Sequence, residues 1–296
     1  MARLPFVDTH VHFFDLDEPS LRYSWLEREA PPDDLGLGDY RAIRSQRYWA
    51  DDFIGETRFA NVLGAIHVQA ATGIEDPVDE TRWLQAFADR LGMPQGIVAY
   101  ADLTDPRIDE LLERHAAFAN LRGIRDLRYD DYLSNETWLR GFGSLARHGL
   151  VACDDPYVDQ MPLARALADR YPEIVLCIDH ASYPRRRDDE YFDAWRRGVQ
   201  LLAGAPNVVI KISGLGMVDH EWTVDSLRPW VHTCLDAFGP ARSFFGTNWP
   251  VDRLYSGYGD VLDAYAELIS DLTDAEQRAV FSENARRIFR LQLPDQ

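Results

Sequence analysis

Eight short apolar segments recur along the chain, and most are followed by a stretch with helical periodicity. This alternation constrains the fold more than any other feature, because strands that alternate with helices build a parallel sheet. The predicted strands lie at residues 3–15, 60–70, 96–101, 121–127, 150–153, 174–178, 207–212 and 242–246. No glycine-rich phosphate-binding turn follows the first strand, so a closed barrel is favoured over an open doubly wound sheet. We therefore predict an α/β fold, a (β/α)8 TIM barrel, as a single domain over residues 1–296.

The first connection, residues 15–58, is much longer than the others and rich in aromatic side chains. Tyr23, Trp25, Tyr48 and Trp49 lie in it. A loop of this length in a compact domain tends to be a lid or a binding wall. We predict that this long first βα loop supplies an apolar wall at the mouth of the barrel.

The charge and the cysteines limit the partners and the compartment. With 49 acidic and 31 basic residues, the net charge is −18, which repels nucleic acid and anionic membranes. No run approaches the ~20 apolar residues of a membrane span. Three scattered cysteines and the absence of an apolar leader predict a cytoplasmic protein with free thiols. We expect a small-molecule substrate as the partner, and a homo-oligomer is one open alternative.

His10 and His12 end the first predicted strand, and they are the first candidates for chemistry. Side chains two apart in a strand project to one side, about 6–7 Å apart. Neutral imidazole is the commonest metal ligand, and catalytic zinc takes three protein ligands plus water. The pair is therefore half of a metal site, unless it merely fills the strand end.

Further site residues are expected where the other strands end, because barrel active sites lie at that face. The polar residues at those ends are Gln69, Asp102, Arg125, Asp126, Asp154, Asp155, Asp179, His180, Lys211, Ser213, Asn248 and Asp252.

Other histidines and the cysteines carry less weight. His67 lies two residues before Gln69 in a strand and could therefore face the barrel interior or its mouth as an auxiliary group. A solvated or capping histidine is the default for the other four, His115, His148, His220 and His232. Cys153 and Cys177 are predicted to be small buried fillers.

Seven motifs, taken together, resemble the amidohydrolase superfamily, and within it the amidohydrolase-related TIM-barrel family. They are DTHVHFFD at 8–15, YSWL at 23–26, HVQA at 67–70, GIR at 123–125, DH at 179–180, KISGL at 211–215 and FGTNWPVD at 245–252. They occur in order over nearly the whole chain. The branch that the chain resembles most contains sugar lactonases and 2-pyrone-4,6-dicarboxylate lactonase.

The resemblance implies a site of His10, His12, His180 and the residue that ends the eighth strand. In the superfamily the histidines hold a divalent metal and an aspartate at the last position activates water. This chain has Asn248 there, and an amide cannot accept a proton as a carboxylate does. Three explanations stay open, namely a natural subgroup, an engineered substitution that traps substrate, or a barrel that only binds. In a natural subgroup, the base would be His180, held by a neighbour such as Asp179 or Asp154, or else Asp252.

The resemblance also leaves metal dependence open. No histidine follows the fifth strand, and Arg125 stands where two-metal relatives carry a bridging lysine. Some members of the lactonase branch work without metal. The chain is therefore expected to hold either one zinc-like divalent ion, on His10, His12 and His180, or none.

The predicted function is hydrolysis of a small, acidic or sugar-derived lactone to a hydroxy acid. His10, His12, His180 and Asn248 are the predicted catalytic residues. The predicted substrate-binding residues are Arg125, Lys211, Gln69, Tyr157 and Trp25. Arg125 and Lys211 could instead pair with Asp126, Asp102 or Asp154 and only rigidify the barrel. The alternative reaction is a metal-dependent decarboxylation of an aromatic or enoic acid, which the first-strand motif does not distinguish.

Overall fold

A computed structural model describes residues 4–27, 38–128 and 130–293, and its main feature is one eight-stranded parallel sheet. The strands are β1 (Phe6–Val11), β2 (Val62–Val68), β3 (Gly96–Ala99), β4 (Leu121–Ile124), β5 (Val151–Asp154), β6 (Leu176–Ile178), β7 (Val208–Ile212) and β8 (Ser243–Phe245). Each strand pairs with its successor in sequence. β8 returns to β1, where Thr9 Oγ1 donates to the carbonyl oxygen of Phe245 at 2.7 Å and Val11 bridges to Trp249. The predicted single-domain TIM barrel is confirmed.

A helix follows every barrel strand and packs on the outside of the sheet. The helices are α1 (Ala50–Thr57), α2 (Val78–Leu91), α3 (Ile108–Ala116), α4 (Glu136–His148), α5 (Met161–Arg170), α6 (Asp189–Ala203), α7 (Val224–Phe238) and α8 (Tyr258–Leu268). The chain then ends with α9 (Asp274–Arg278), a π-helical turn at Ala279–Glu283, and α10 (Asn284–Ile288). Sequence periodicity over 274–289 fits one helix, and the π turn divides it.

Strand alternation divides the core into two layers. Inward-facing residues such as Val7, Ile66, Val151 and Cys177 form the cluster inside the barrel. The opposite faces join the larger cluster between strands and helices. Cys153 and Cys177 are buried, as predicted. Residues near the C-terminus, including Phe289, pack against the interior cluster.

The long first connection contains more regular structure than the sequence suggests. Phe14–Asp15 and Arg47–Tyr48 pair as a short antiparallel ribbon, and α1 lies before β2. Residues 28–37 lie outside the described residues. Among the described helices, none is long and apolar enough to cross a membrane.

Candidate functional site

His10 and His12 lie side by side at the carboxyl end of β1. A register irregularity between Asp8 and Val11 interrupts the pairing of β1 with β2. The two ring centroids are 4.9 Å apart. Gly246 follows β8 at this point, and a Cβ there would lie 2.9 Å from the His10 backbone nitrogen. A side chain at position 246 would therefore push β8 away from the histidines.

His180 joins this pair from the end of β6. Its ring centroid is 4.2 Å from that of His10. The residue has φ 52°, and the left-handed conformation continues through Tyr183. Non-glycine residues rarely adopt this conformation, and such strain is concentrated at functional sites. The backbone turn thus aims His180 across the barrel mouth at His10.

A serine holds His180, whereas the sequence suggested a carboxylate. His180 Nδ1 lies 3.0 Å from Ser213 Oγ at the end of β7. Gly214 follows with φ 61°, and a Cβ there would lie 2.6 Å from His180 Nδ1. Asp179, one of the two predicted partners, makes its contacts elsewhere, and Asp154 accepts a hydrogen bond from Tyr132 Oη at 2.7 Å. The expectation that Asp179 or Asp154 holds His180 is wrong.

Asp179 connects Lys211 to His10 inside the barrel. Lys211 Nζ lies 2.8 Å from Asp179 Oδ1, and His10 Nδ1 lies 3.7 Å from Asp179 Oδ2. All three side chains are buried. Burial opposes the Lys211 charge, but Asp179 outweighs it, so the pKa of Lys211 lies above its ordinary value. The structure therefore pairs Lys211 with a carboxylate that was not among the three expected partners.

The chemistry of the three imidazoles suits them to bind a metal ion. Burial lowers the pKa of His10, His12 and His180 well below the ordinary value, so all three are neutral near pH 7. His12 Nδ1 donates to the carbonyl oxygen of Val68 at 2.8 Å, and His180 Nδ1 is hydrogen-bonded to Ser213 Oγ. Nε2 of each ring is therefore left for a ligand. Both ring nitrogens of His10 are buried, and neither has a hydrogen-bond partner in the described part of the chain. Neutral imidazoles with unused nitrogens fit a zinc-like ion.

The spacing of these nitrogens is looser than in a preformed metal site. Within the described ranges, the one group of three histidine, cysteine or acidic donors lying within 4.8 Å of one another is Cys153, Cys177 and Asp179. That group is deeper in the barrel, and the Lys211 ammonium already neutralises it. The histidine rings would have to rotate to converge on one ion.

Arg125 brings a positive charge to the histidines from the end of β4. One terminal nitrogen, Nη2, donates to the carbonyl oxygen of Gln69 at 2.7 Å and lies 3.1 Å from Gln69 Oε1. Its Nε is buried and has no hydrogen-bond partner among residues 4–27, 38–128 and 130–293. Its charge helps to lower the pKa of His12 and His180. Arg128, rather than Arg125, pairs with Asp126 at 2.9 Å and Asp102 at 2.5 Å.

Asn248 follows β8 with its side chain against Asp252. Its φ is 59°, a left-handed conformation that Asn and Asp adopt more readily than other non-glycine residues. Nδ2 donates to Asp252 Oδ1 at 2.9 Å, and both side chains are buried. Burial raises the pKa of Asp252 to about 7, although the Asn248 bond lowers it. The two predicted base positions thus form one hydrogen-bonded unit.

Trp25 and Tyr157 lie on opposite sides of the mouth. Trp25 Nε1 donates to the carbonyl oxygen of Ala70 at 2.8 Å, and its ring centroid is 6.2 Å from that of His12. Arg185 stacks over Tyr157 at 4.1 Å and over Tyr183 at 4.6 Å. Arg185 was not predicted, because it lies in a loop after β6 rather than at a strand end. The roles of Trp25, Tyr157, Gln69, Arg125 and Lys211 in substrate binding stay predictions.

The remaining histidines lie outside this cluster. Ile66 and Val68 occupy the barrel interior, so His67 faces the helix layer, where Nδ1 accepts from the Phe13 amide at 3.1 Å. The alternative in which His67 faces the interior or the mouth is therefore excluded. His115 is fully buried and lies 2.9 Å from Thr81 Oγ1, so the default of a solvated or capping group is wrong for it.

Comparison with known proteins agrees with this architecture. A family model described as amidohydrolase matches residues 7–291. The chain belongs to the amidohydrolase family. An uncharacterised protein of Sinorhizobium fredii is 34% identical, covering 98% of this chain and 100% of that protein. Two proteins named L-fucono-1,5-lactonase, from Burkholderia multivorans and Burkholderia ambifaria, are 29% and 32% identical over 97% of this chain and 97% and 96% of theirs.

Solved structures extend the comparison. A Burkholderia multivorans amidohydrolase with bound zinc matches with a TM-score of 0.82 at 26% identity, covering 97% of this chain and 99% of that one. A 5-carboxyvanillate decarboxylase from Sphingomonas paucimobilis matches with a TM-score of 0.66 at 15% identity, covering 99% and 100%. At that identity, the decarboxylase shares the fold alone. The predicted hydrolase of the amidohydrolase family is therefore the assignment that the comparisons support.

Proposed function

We propose that this amidohydrolase opens a lactone by attack of water at the carboxyl face of the barrel. The observation that carries the proposal is the full-length similarity to two proteins named L-fucono-1,5-lactonase. The site is compatible with it, because three neutral imidazoles lie together at the carboxyl ends of the strands, and the charge of the buried Arg125 guanidinium acts on them. The product is a hydroxy acid.

Arg125 and the histidines stabilise the negative charge that develops on the carbonyl oxygen. Among the residues that the structure describes, Arg125 Nε has no hydrogen-bond partner, so it is available to a substrate oxygen. Donors fixed in a buried site lower the barrier because they need no reorganisation during the reaction. A divalent ion on His10, His12 and His180 would add Lewis-acid polarisation of the carbonyl and of water. Asp179 Oδ2 lies 3.7 Å from His10 Nδ1, beyond hydrogen-bond distance, and adds a negative charge beside the cluster.

The proposed substrate is small, and acidic or sugar-derived. Arg125 and Gln69 offer a charged donor and an amide, while Trp25 and Tyr157 offer aromatic faces on either side. Sugar rings pack on aromatic faces, and carboxylates pair with guanidinium groups. Lys211 supports the site through Asp179, at 2.8 Å, rather than through the substrate.

A lactone panel with the purified full chain tests the proposal. Acid release is followed at constant pH for sugar-derived lactones and for dicarboxylated pyrones, before and after chelation and after adding back Zn²⁺. Saturable, enzyme-dependent acid release supports the proposal, and loss after chelation that Zn²⁺ restores shows that the activity depends on a metal ion. Carbon dioxide release from aromatic acids, with no lactone opening, would replace the proposed hydrolysis by decarboxylation. If neither assay detects a product but the protein still binds the compounds, it is a binding protein and not an enzyme for these reactions.

A further inference from the structure

The proposed hydrolysis needs a group that accepts the proton of water, and most buried carboxylates within or just after the strands are already engaged. Each of five makes a specific bond with another residue. The pairs are Asp8 with Thr247 and Tyr258, Asp126 with Arg128, Asp154 with Tyr132, Asp179 with Lys211, and Asp252 with Asn248. A carboxylate held in this way is restrained by its partner.

Asp155 differs from these five. It follows β5 directly and is half-buried, whereas the others are fully buried. Its carboxylate makes no hydrogen bond to another side chain within residues 4–27, 38–128 and 130–293. Val151 and Cys153 point into the barrel, so alternation along β5 directs Asp155 to the same side at the mouth. Ala152 and Asp154 take the opposite side, where Asp154 meets Tyr132.

The charges around Asp155 are those of the histidine cluster. The charges of Arg125, Asp179 and Arg185 shift the pKa of its carboxyl group, and Asp154 is its acidic neighbour in sequence. Arg125 also acts on His12 and His180, and Asp179 is 3.7 Å from His10. Arg185 stacks on Tyr183, whose ring centroid is 6.3 Å from that of His180. Asp155 therefore shares its electrostatic surroundings with the catalytic candidates.

We propose that Asp155 is the general base of this site, a role that Asn248 cannot fill; the inference rests on the proposed lactone hydrolysis. As the water oxygen bonds to the carbonyl carbon, one water proton passes to the Asp155 carboxylate. The tetrahedral intermediate then breaks the bond from the carbonyl carbon to the ring oxygen, which receives that proton from Asp155. One water is added, a hydroxy acid leaves, and Asp155 is ionised again.

The protonation behaviour of Asp155 suits this exchange. Burial raises its pKa to about 7, Arg125 and Arg185 lower it, and Asp179 raises it. A base is most effective when its pKa lies near the working pH. Because only the ionised form accepts a proton, kcat/KM should fall as the pH drops below about 7.

The test compares Asp155→Asn with the matched control Asp154→Asn in the full chain, on a lactone that the wild type opens. Positioned bases contribute ~10²–10⁴-fold, so Asp155→Asn should lower kcat at least ~10²-fold while KM changes little. The acid limb of its pH profile should disappear. Asp154→Asn should keep activity within a few-fold, because an amide oxygen still accepts from Tyr132. Asp155→Glu should recover part of the loss.

Three outcomes overturn the inference. Near-wild-type kcat in Asp155→Asn, or an unchanged acid limb in that variant, excludes Asp155 as the base and leaves lactone hydrolysis intact. If Asp155→Asn does not fold, the wild-type profile decides, and an activity that stays constant from pH 5 to 8 excludes it. A wild type that opens no lactone overturns the proposed function itself, which is a distinct result.

Discussion

The Asn248 amide donates from Nδ2 to Asp252 Oδ1 at 2.9 Å, and both side chains are buried. An amide beside a carboxylate satisfies both groups at any pH, whereas two carboxylates at this distance can coexist only by sharing a proton. The pairing favours Asn248 as the residue to which this fold is adapted. It is an argument against an engineered replacement and for a natural subgroup with its base elsewhere.

Replacing Asn248→Asp should therefore lower kcat/KM near neutral pH and destabilise the fold. The shared proton raises a carboxyl pKa in the folded state above its unfolded value of about 3.9. Such a group favours folding at low pH, and this contribution is lost as the pH rises through the folded pKa. The free energy of unfolding, from urea titrations, should fall more at pH 8 than at pH 5.

The double variant Asn248→Asp with Asp252→Asn is the matched control. It keeps one amide and one carboxylate in the pair, so it should recover most of the lost stability. The opposite result for Asn248→Asp would reverse the interpretation. If kcat/KM and bound metal both rise in that variant, the site is built for an aspartate at position 248.

His12→Ala and His180→Ala should each lower turnover at least ~10²-fold, as expected when acid–base or electrophilic assistance is lost. Each ring is held by one hydrogen bond, from His12 to Val68 and from His180 to Ser213, so the fold should persist. The measurements are kcat and the thermal unfolding midpoint. His148→Ala, at a half-buried position in α4 away from the cluster, is the control and should match the wild type. Normal turnover in both site variants would exclude the histidine cluster as the catalytic site.

Arg125→Met should mainly raise KM, because a hydrogen bond to a charged group contributes ~1.5–3 kcal/mol. Arg128→Met is the matched control, since Arg128 pairs with Asp126 and Asp102. That variant should change stability and leave KM unchanged. The reverse pattern, with an unchanged KM and reduced stability for Arg125→Met, would assign Arg125 a purely structural role.

Much of the fold was predictable because hydrophobic periodicity is a local property. The predicted strand 60–70 is Val62–Val68, and the predicted strand 207–212 is Val208–Ile212. The errors arise where local patterns do not decide. The helix Ala50–Thr57 lies in a segment predicted to be a connection, and the π turn Ala279–Glu283 is invisible to a 3.6-residue period.

The residues that form the site were predictable from the sequence, but the contacts between them were not. Strand-end position identified His10, His12 and His180, which the structure brings together. Which carboxylate meets which cation depends on strand register across the barrel, and sequence spacing carries no information about it. Lys211 thus pairs with Asp179, and Ser213 holds His180. Asp155 was one of two adjacent acidic residues, and only strand parity distinguishes it from Asp154.

The Lys211–Asp179 pair yields a last prediction, which separates a supporting role from substrate binding. Both side chains are buried, with Nζ and Oδ1 2.8 Å apart. Lys211→Met leaves an uncompensated carboxylate, so the free energy of unfolding should fall by ~3–5 kcal/mol. Adding Asp179→Asn removes that charge and should recover part of the loss. Urea titrations of the three proteins measure this coupling. A Lys211→Met variant with wild-type stability and a strongly raised KM would instead place Lys211 in contact with the substrate.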